Sequence, residues 1–491
     1  YTGGAWGTRD VSQGPVELLL GLGRLEPLPV LLALVFRAQS TVGDWPQAFG
    51  FYDDDQDFRL DPSHGDVLFW PVLALGQYLV AAGDRAVLDE QVPFYPDAGE
   101  PEQASLLEHA LRALALGRER VVAGTHLTAY GHGDWNDSLQ PADPSMRERL
   151  CSSWTVTLHI QTLRTLAAGL ASVGRGEHVS GLREEADAIL AEFQQHLIRD
   201  GVLAGYGHFA EDGTLRHLIH PADRETGLTY SLLPMVHAIS NDLLTPEQAA
   251  RHARIIREHL VAPDGARLFD RPPAYRGGPM VHFQRAETAT FFGREVGLMY
   301  THAHLRYAQA MARLGDGDAL LRALEQANPI GIDEVVPNAR LRQANCYFSS
   351  SDARFADRYE AGAEYDRVRD GRVEVDGGWR VYSSGAGIAY RLVVECLLGL
   401  TRRSASLVVD PVLPRSLDGL HASLHLGGRP VTVAYSVGGH GSGPSSVVLN
   451  GQEMAAVRLA NRYRTGGLEI DMDEVQAVLR PDANHLDVTL P

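Results

Sequence analysis

Between about residue 15 and residue 400 the sequence is dominated by amphipathic helical segments, and this patterning constrains the fold more than any other feature. The clearest segment is 154–173, where Val156, Ile160, Leu163, Ala167, Leu170 and Val173 recur in steps of four and three and so share one helix face. Leu18, Leu19 and Leu22 begin another, which continues past Pro27 and Pro29 as the apolar run Val30 to Phe36. Residues 66–82 form a third, with Pro71 in the first turn, where proline removes no hydrogen bond. Further helices are expected over roughly 103–117, 183–198, 228–240, 246–261, 295–313, 317–327 and 386–400. No short-period repeat is present, and the loops between helices are long and rich in Gly, Asp, His and Pro. Long loops persist where they do something, so a closed double ring of helices with a pocket at one end is predicted.

After residue 401 the period changes from 3.6 to 2. Ser406 to Pro411, Ala422 to Leu426, Val431 to Tyr435 and Val447 to Gly451 read as strands, and Asn450-Gly451 is a hairpin-turn pair. The expectation is therefore a helical domain over 1–400 followed by a small β-sandwich over 401–491. A chain of 491 residues is in any case long for a single core.

A formal charge of −18 argues against nucleic acid as a partner. The three cysteines, Cys151, Cys346 and Cys396, form no CxxC pair and indicate neither a disulfide framework nor a zinc knuckle. No apolar run reaches the ~18 residues that span a bilayer and no signal peptide opens the chain, so a cytoplasmic protein is expected. Residue 1 is Tyr and the chain opens on a motif-like sequence, which points to a fragment without its N-terminal part.

The chemistry is concentrated in Gly131-His132-Gly133-Asp134-Trp135-Asn136-Asp137, which sets two carboxyls, an indole and an amide within four consecutive residues. Such a stretch suits a tight loop better than a helix interior. An indole can lie against a pyranose ring while a neighbouring carboxyl protonates a glycosidic oxygen; a plain Asx turn beside a half-buried Trp is the simpler reading. Adjacent Arg9 and Asp10 would diverge in a strand, so each is expected to face its own partner. His302 and His304 lie two apart, whereas helical metal ligands prefer three or four, so no metal is expected. The run Asp53 to Asp57 lacks the spacing of a calcium loop and reads as a solvated acidic loop, while His64-Gly65-Asp66 is a second rim candidate without an assigned role.

Several motifs occur in an order that resembles the inverting glycoside phosphorylases, the family of cellobiose and chitobiose phosphorylases. Gly7 to Gln13 resembles their Arg-Asp-x-x-Gln segment, and Asp134 to Asp137 their Asp-Trp-Asn-Asp acid loop. Glu295 with Met299-Tyr300-Thr301-His302 resembles a Glu…His segment, Ser383-Ser384-Gly385-Ala386 the Ser/Thr-Gly turn before a helix, and Asp410 to Pro414 the junction into a C-terminal β-domain. Within the family, Asn345 to Asp352 looks more like the 1,2-β-oligoglucan phosphorylases and the C-terminal domain of cyclic β-1,2-glucan synthases than the disaccharide enzymes. Glycines at 3 and 4, where the disaccharide enzymes carry another arginine, and Gly14 in place of an acid depart from the pattern.

The resemblance implies a mainly α fold, an (α/α)6 barrel followed by a small β-sandwich, with the family's N-terminal β-sandwich missing from this chain. It implies no cofactor, inorganic phosphate as co-substrate, an oligosaccharide substrate and a possible homodimer. It makes Asp137 the proton donor, expected to be buried against Trp135 so that its carboxyl holds a proton near neutral pH. It places Arg9, Asp10, Trp135 and Glu295 on the sugar, and Arg9, His302, Ser384 and the Gly385 N–H on phosphate, at a helix start suited to an anion. Two other readings stay open: an inverting hydrolase using Asp137 with Glu287 or Glu295, and a non-catalytic glucan-binding or chain-length-control domain of a larger synthase.

Overall fold

The computed structural model describes residues 5–51, 58–96, 101–275, 277–288, 299–328, 330–341, 350–377 and 383–491. The helices used below are α1 (Gly14–Leu22), α2 (Leu28–Phe36), α3 (Phe69–Ala82), α4 (Leu106–Glu119), α5 (Ser153–Ser172), α6 (Val179–His196), α7 (Leu232–Ser240), α8 (Pro246–Ile255), α9 (Thr301–Leu314), α10 (Gly317–Ala327) and α11 (Ser383–Leu392). Six of them pack side by side in the order α1, α3, α5, α7, α9, α11 and back to α1, closing a ring. Outside it, α2 and α4 pack on α3, α6 on α5, and α10 on α9. Each expected helix in the described residues is present with its ends moved by a few residues, since caps such as Ser105 before α4 and Ser152 before α5 set the starts. The stretch expected as helix to residue 400 stops earlier: α11 loosens into a π-turn over Val393–Leu397, and Leu400–Arg402 is already a strand.

Burial follows the ring. Eleven of the 14 residues of α3 and 14 of the 20 of α5 are buried, because these helices are covered on both faces. Their closest approach is made by glycines: a Cβ on Gly76 would lie 2.9 Å from the Leu166 backbone N, and one on Gly169 would lie 2.9 Å from the Gly76 carbonyl oxygen. No helix among the described residues is long and apolar enough to cross a membrane.

The last ninety or so residues form two sheets over one hydrophobic cluster. Strands β1 (Leu400–Arg402), β2 (Ser406–Val409), β7 (Val457–Arg458) and β8 (Leu468–Asp471) are ordered β1-β2-β8-β7. Strands β3 (His421–Leu426), β4 (Arg429–Val437), β5 (Ser446–Leu449), β6 (Gln452–Glu453) and β9 (Asn484–Leu490) are ordered β3-β4-β9-β5-β6. This section seats on the C-terminal ends of the inner helices. Arg464 donates to the Ala312 carbonyl at the end of α9, Tyr463 Oη to the Leu244 carbonyl beyond α7, and Ser404 N–H to the Val80 carbonyl in α3. The N-terminal ends of the ring are left to the loops that carry the motifs.

Candidate active site

Six inner helices with parallel sense turn six N-terminal ends to one rim. Gln13 precedes α1, His64 and Asp66 precede α3, Ser152 caps α5, Ser231 precedes α7, Thr301 and His302 open α9, and Gly385 lies in the first turn of α11. The first-turn N–H groups and the positive ends of the helix dipoles therefore converge there, which favours an anion.

Arg9 lies on a short helical turn, Thr8–Val11, pinned by Thr8 Oγ1 donating to the Pro46 carbonyl (2.6 Å). The backbone is helical where a strand was considered, yet the conclusion stands, because neighbours one apart on a helix also diverge. The guanidinium bridges two carboxylates, with Nη1 3.3 Å from Asp66 Oδ2 and Nη2 3.1 Å from Asp137 Oδ1. Burial opposes its charge, but Asp66, Asp137, Asp10 and Asp134 outweigh that and hold Arg9 firmly protonated. Burial pushes the Asp10 carboxyl up; Arg9 pulls it down, and Asp137 and Asp66 add to the rise.

Gly133, at φ 146°, takes a conformation that a side chain would strain, and lets the acid loop turn sharply into Asp134. The burial expected of Asp137 falls on Asp134 instead. Asp134 folds back into its own loop, where its Oδ2 accepts from Ser152 Oγ (2.6 Å) and its Oδ1 from the Asn136 N–H (2.9 Å). Burial and Asp66 push its carboxyl up to about 7, against the opposing pull of Ser152, Asn136 and Arg9. Asp137 begins a 3-10 turn, and its side chain is 37% exposed. Trp135 is buried edge-on to the rings of Tyr300 (4.9 Å) and His302 (5.2 Å), which joins the acid loop to α9.

His64 supports the loop from behind. Its Nδ1 is 2.8 Å from the Asp134 carbonyl, which can only accept, so the ring proton sits on Nδ1; Gln140 Nε2 then donates to Nε2 at 3.0 Å. Burial and Arg9 lower the His64 pKa, against Asp137, Asp66 and the Asp134 carbonyl, which favours that neutral form. The same Nδ1 is 3.4 Å from Asp137 Oδ1. Gln13 does the equivalent for His302. Its Nε2 donates to the Arg9 carbonyl (3.2 Å), which turns Oε1 toward His302 Nε2 at 2.8 Å and puts the ring proton there. Burial, Arg306 and Arg9 lower the His302 pKa well below its ordinary value. Thr301 Oγ1 is buried beside this histidine with no hydrogen-bond partner among the described residues, and a Cβ on Gly385 would touch the Thr301 methyl at 3.6 Å.

The structure thus gathers Arg9, Asp10, Trp135, Asp137, His302 and Gly385 at one rim. The Ser384 side chain, Glu295, Asp53 to Asp57 and the Asn345–Ser349 part of the Asn345–Asp352 motif lie outside the described residues. His304 points away from the rim: its Nδ1 accepts from the Ala266 N–H and its Nε2 faces the Ala323 carbonyl. Glu287 is committed elsewhere, its carboxylate accepting the N–H groups of Val281, His282 and Phe283. Asp66, Ser152 and Gln140 went unassigned in the sequence. The only local hint was the His64-Gly65-Asp66 triplet before a helix; Arg9 and Asp66 are 57 residues apart.

Residues 399–488 match the model of a glycoside phosphorylase C-terminal domain. Over 95% of its length the chain is 43% identical to a protein named 1,2-beta-oligoglucan phosphorylase from Listeria innocua. It is 25% identical over 88% of its length to the cyclic beta-(1,2)-glucan synthase NdvB of Rhizobium meliloti, and 21% identical over 82% to N,N'-diacetylchitobiose phosphorylase of Vibrio furnissii. The chain spans 42%, 15% and 46% of the lengths of these relatives. Residues 51–399, which include Asp66, the acid loop and His302, match the model of the glycosyl hydrolase 94 superfamily catalytic domain, and the chain belongs to that superfamily.

Proposed function

We propose that this chain is the catalytic part of an inverting phosphorylase that cleaves β-1,2-linked gluco-oligosaccharides with inorganic phosphate, reversibly, to give α-glucose 1-phosphate. In this reading residues 1–400 are the (α/α)6-barrel domain and 401–491 a β-sandwich that braces its far end, with a cytoplasmic setting and a possible homodimer. Asp137 passes its proton to the departing glycosidic oxygen as that C–O bond breaks. A phosphate oxygen bonds to the anomeric carbon from the opposite face, and phosphate, already an anion, needs no general base. Trp135 walls the sugar, Asp10 accepts from its hydroxyls, and Glu295 faces the acceptor. Arg9, His302, Ser384 and the Gly385 N–H hold phosphate.

One observation supports the reading: Arg9 touches Asp137 at 3.1 Å on a rim where helix N-termini and His302 converge, as a proton donor beside an anion site requires. The hydrolase alternative loses Glu287 as its base, because three backbone N–H groups already hold that carboxylate. The test is incubation with β-1,2-gluco-oligosaccharide with and without phosphate. Sugar phosphate formed only with phosphate, and abolished in Asp137→Asn, supports the reading. Reducing sugar released without phosphate favours a hydrolase, and glucan binding without turnover favours a chain-length-control domain.

A further inference from the structure

We propose that Arg9 works as an anion exchanger: its outer face holds Asp137 until phosphate takes that place, while its inner face stays on Asp66 throughout. The inference rests on the phosphorylase reading and adds to it a device that makes the proton donor available only when the nucleophile has arrived.

The two halves of the bridge are unlike. Asp66 is fully buried; its Oδ2 accepts from Arg9 Nη1 (3.3 Å) and from Trp70 Nε1 (3.0 Å), and its buried Oδ1 has no hydrogen-bond partner among the described residues. Withdrawing Arg9 would leave that carboxylate charged in a dry site, the arrangement that costs most when an ion pair is broken. Asp137 is more than a third exposed, so its carboxylate finds water when it lets go, and pairs of that kind are weak. An incoming phosphate therefore displaces Asp137 and leaves Asp66 in place.

The exchange has a chemical consequence. While Arg9 holds Asp137 that carboxyl is engaged, and once phosphate occupies Arg9 it is free to turn toward the leaving oxygen. Gln13 links the two sides, because its amide bonds both the Arg9 carbonyl and His302. Phosphate, as an anion, replaces the carboxylate on the guanidinium more strongly than neutral water can. This is how a single-acid site can favour phosphate over hydrolysis.

The experiment is calorimetric titration of inorganic phosphate into the full chain and its Asp137→Asn, Asp66→Asn and Asp10→Asn variants at constant ionic strength. A half-exposed ion pair removed from competition should tighten phosphate about fivefold in Asp137→Asn. Asp66→Asn should weaken phosphate, and Asp10→Asn, which removes a nearby charge that forms no ion pair with the guanidinium among the described residues, should tighten phosphate less than Asp137→Asn does. A purely electrostatic field predicts tightening in all three, and that result would overturn the exchange, as would no change in Asp137→Asn. If Asp66→Asn does not fold, the contrast between Asp137→Asn and Asp10→Asn decides alone. Absence of phosphate binding in both wild type and Asp137→Asn overturns the exchange and the phosphorylase reading together. The expected pattern of affinities without any sugar phosphate produced would sink the phosphorylase reading and leave the exchange standing.

Discussion

Asp134→Asn should remove a pH dependence of stability that the native loop builds in. The Asp134 carboxyl is raised from its ordinary 3.8 to about 7 by burial and by Asp66, so between these values the folded chain keeps a proton that the unfolded chain has released. Its contribution to stability is fully present below the unfolded value and is lost as pH climbs to about 7. The gap between 3.8 and about 7, at 1.36 kcal/mol for each tenfold step, amounts to about 4 kcal/mol. Asparagine keeps the shape, accepts the Asn136 N–H through its oxygen, and can donate to Ser152 Oγ once that hydroxyl turns. Urea unfolding of wild type and variant, followed by tryptophan fluorescence from pH 4 to 8, cancels the other titrating groups in the difference. Wild type should lose about 4 kcal/mol relative to the variant across that window. A difference that stays flat would show that Asp134 is ionised in the folded loop, and the argument from its burial would fail.

Gly169→Ala should destabilise the barrel by about 1–3 kcal/mol, although alanine normally favours a helix interior, because the new methyl meets the Gly76 carbonyl and Leu79 at 2.9 Å; a stabilised variant by thermal unfolding would contradict the packing. Asp264→Asn should cost about 3–5 kcal/mol, since Arg267 and Asp264 are both only 1% exposed and would lose their charge match; a double-mutant cycle with Arg267→Met that shows no coupling would refute this. Gln13→Ala should raise KM for phosphate about tenfold with a smaller change in kcat, one hydrogen bond's worth of positioning at His302; unchanged KM would detach Gln13 from the phosphate site.

The helical ring was legible because its signal is local. The 3.6-residue periodicity of α5 and the Asn450-Gly451 turn, with φ 52° and 83°, need no knowledge of distant contacts. Short elements were not legible. The turn Thr8–Val11 and the helix Arg358–Ala363 are too short to hold themselves, and Arg358 is buried, donating to the carbonyls of Pro273 and Ala286 some 85 and 72 residues away. In the site, residue types in sequence marked Arg9 and the acid loop, whereas Asp66, Ser152 and Gln140 are partners made only by folding. The exchange of burial between Asp134 and Asp137 is of the same kind: both are aspartates three apart, and the hydroxyls of Ser152 and Tyr130 with the Asn136 N–H mark which one turns inward.

The central claim is a single displacement in which phosphate attacks the face of the sugar opposite the oxygen that Asp137 protonates. Proton NMR of the product in the first minutes of reaction, with a β-1,2-linked glucan and phosphate, tests it directly through the anomeric coupling. The account predicts α-glucose 1-phosphate as the first sugar phosphate formed; β-glucose 1-phosphate, or free glucose with phosphate left unconsumed, would contradict it.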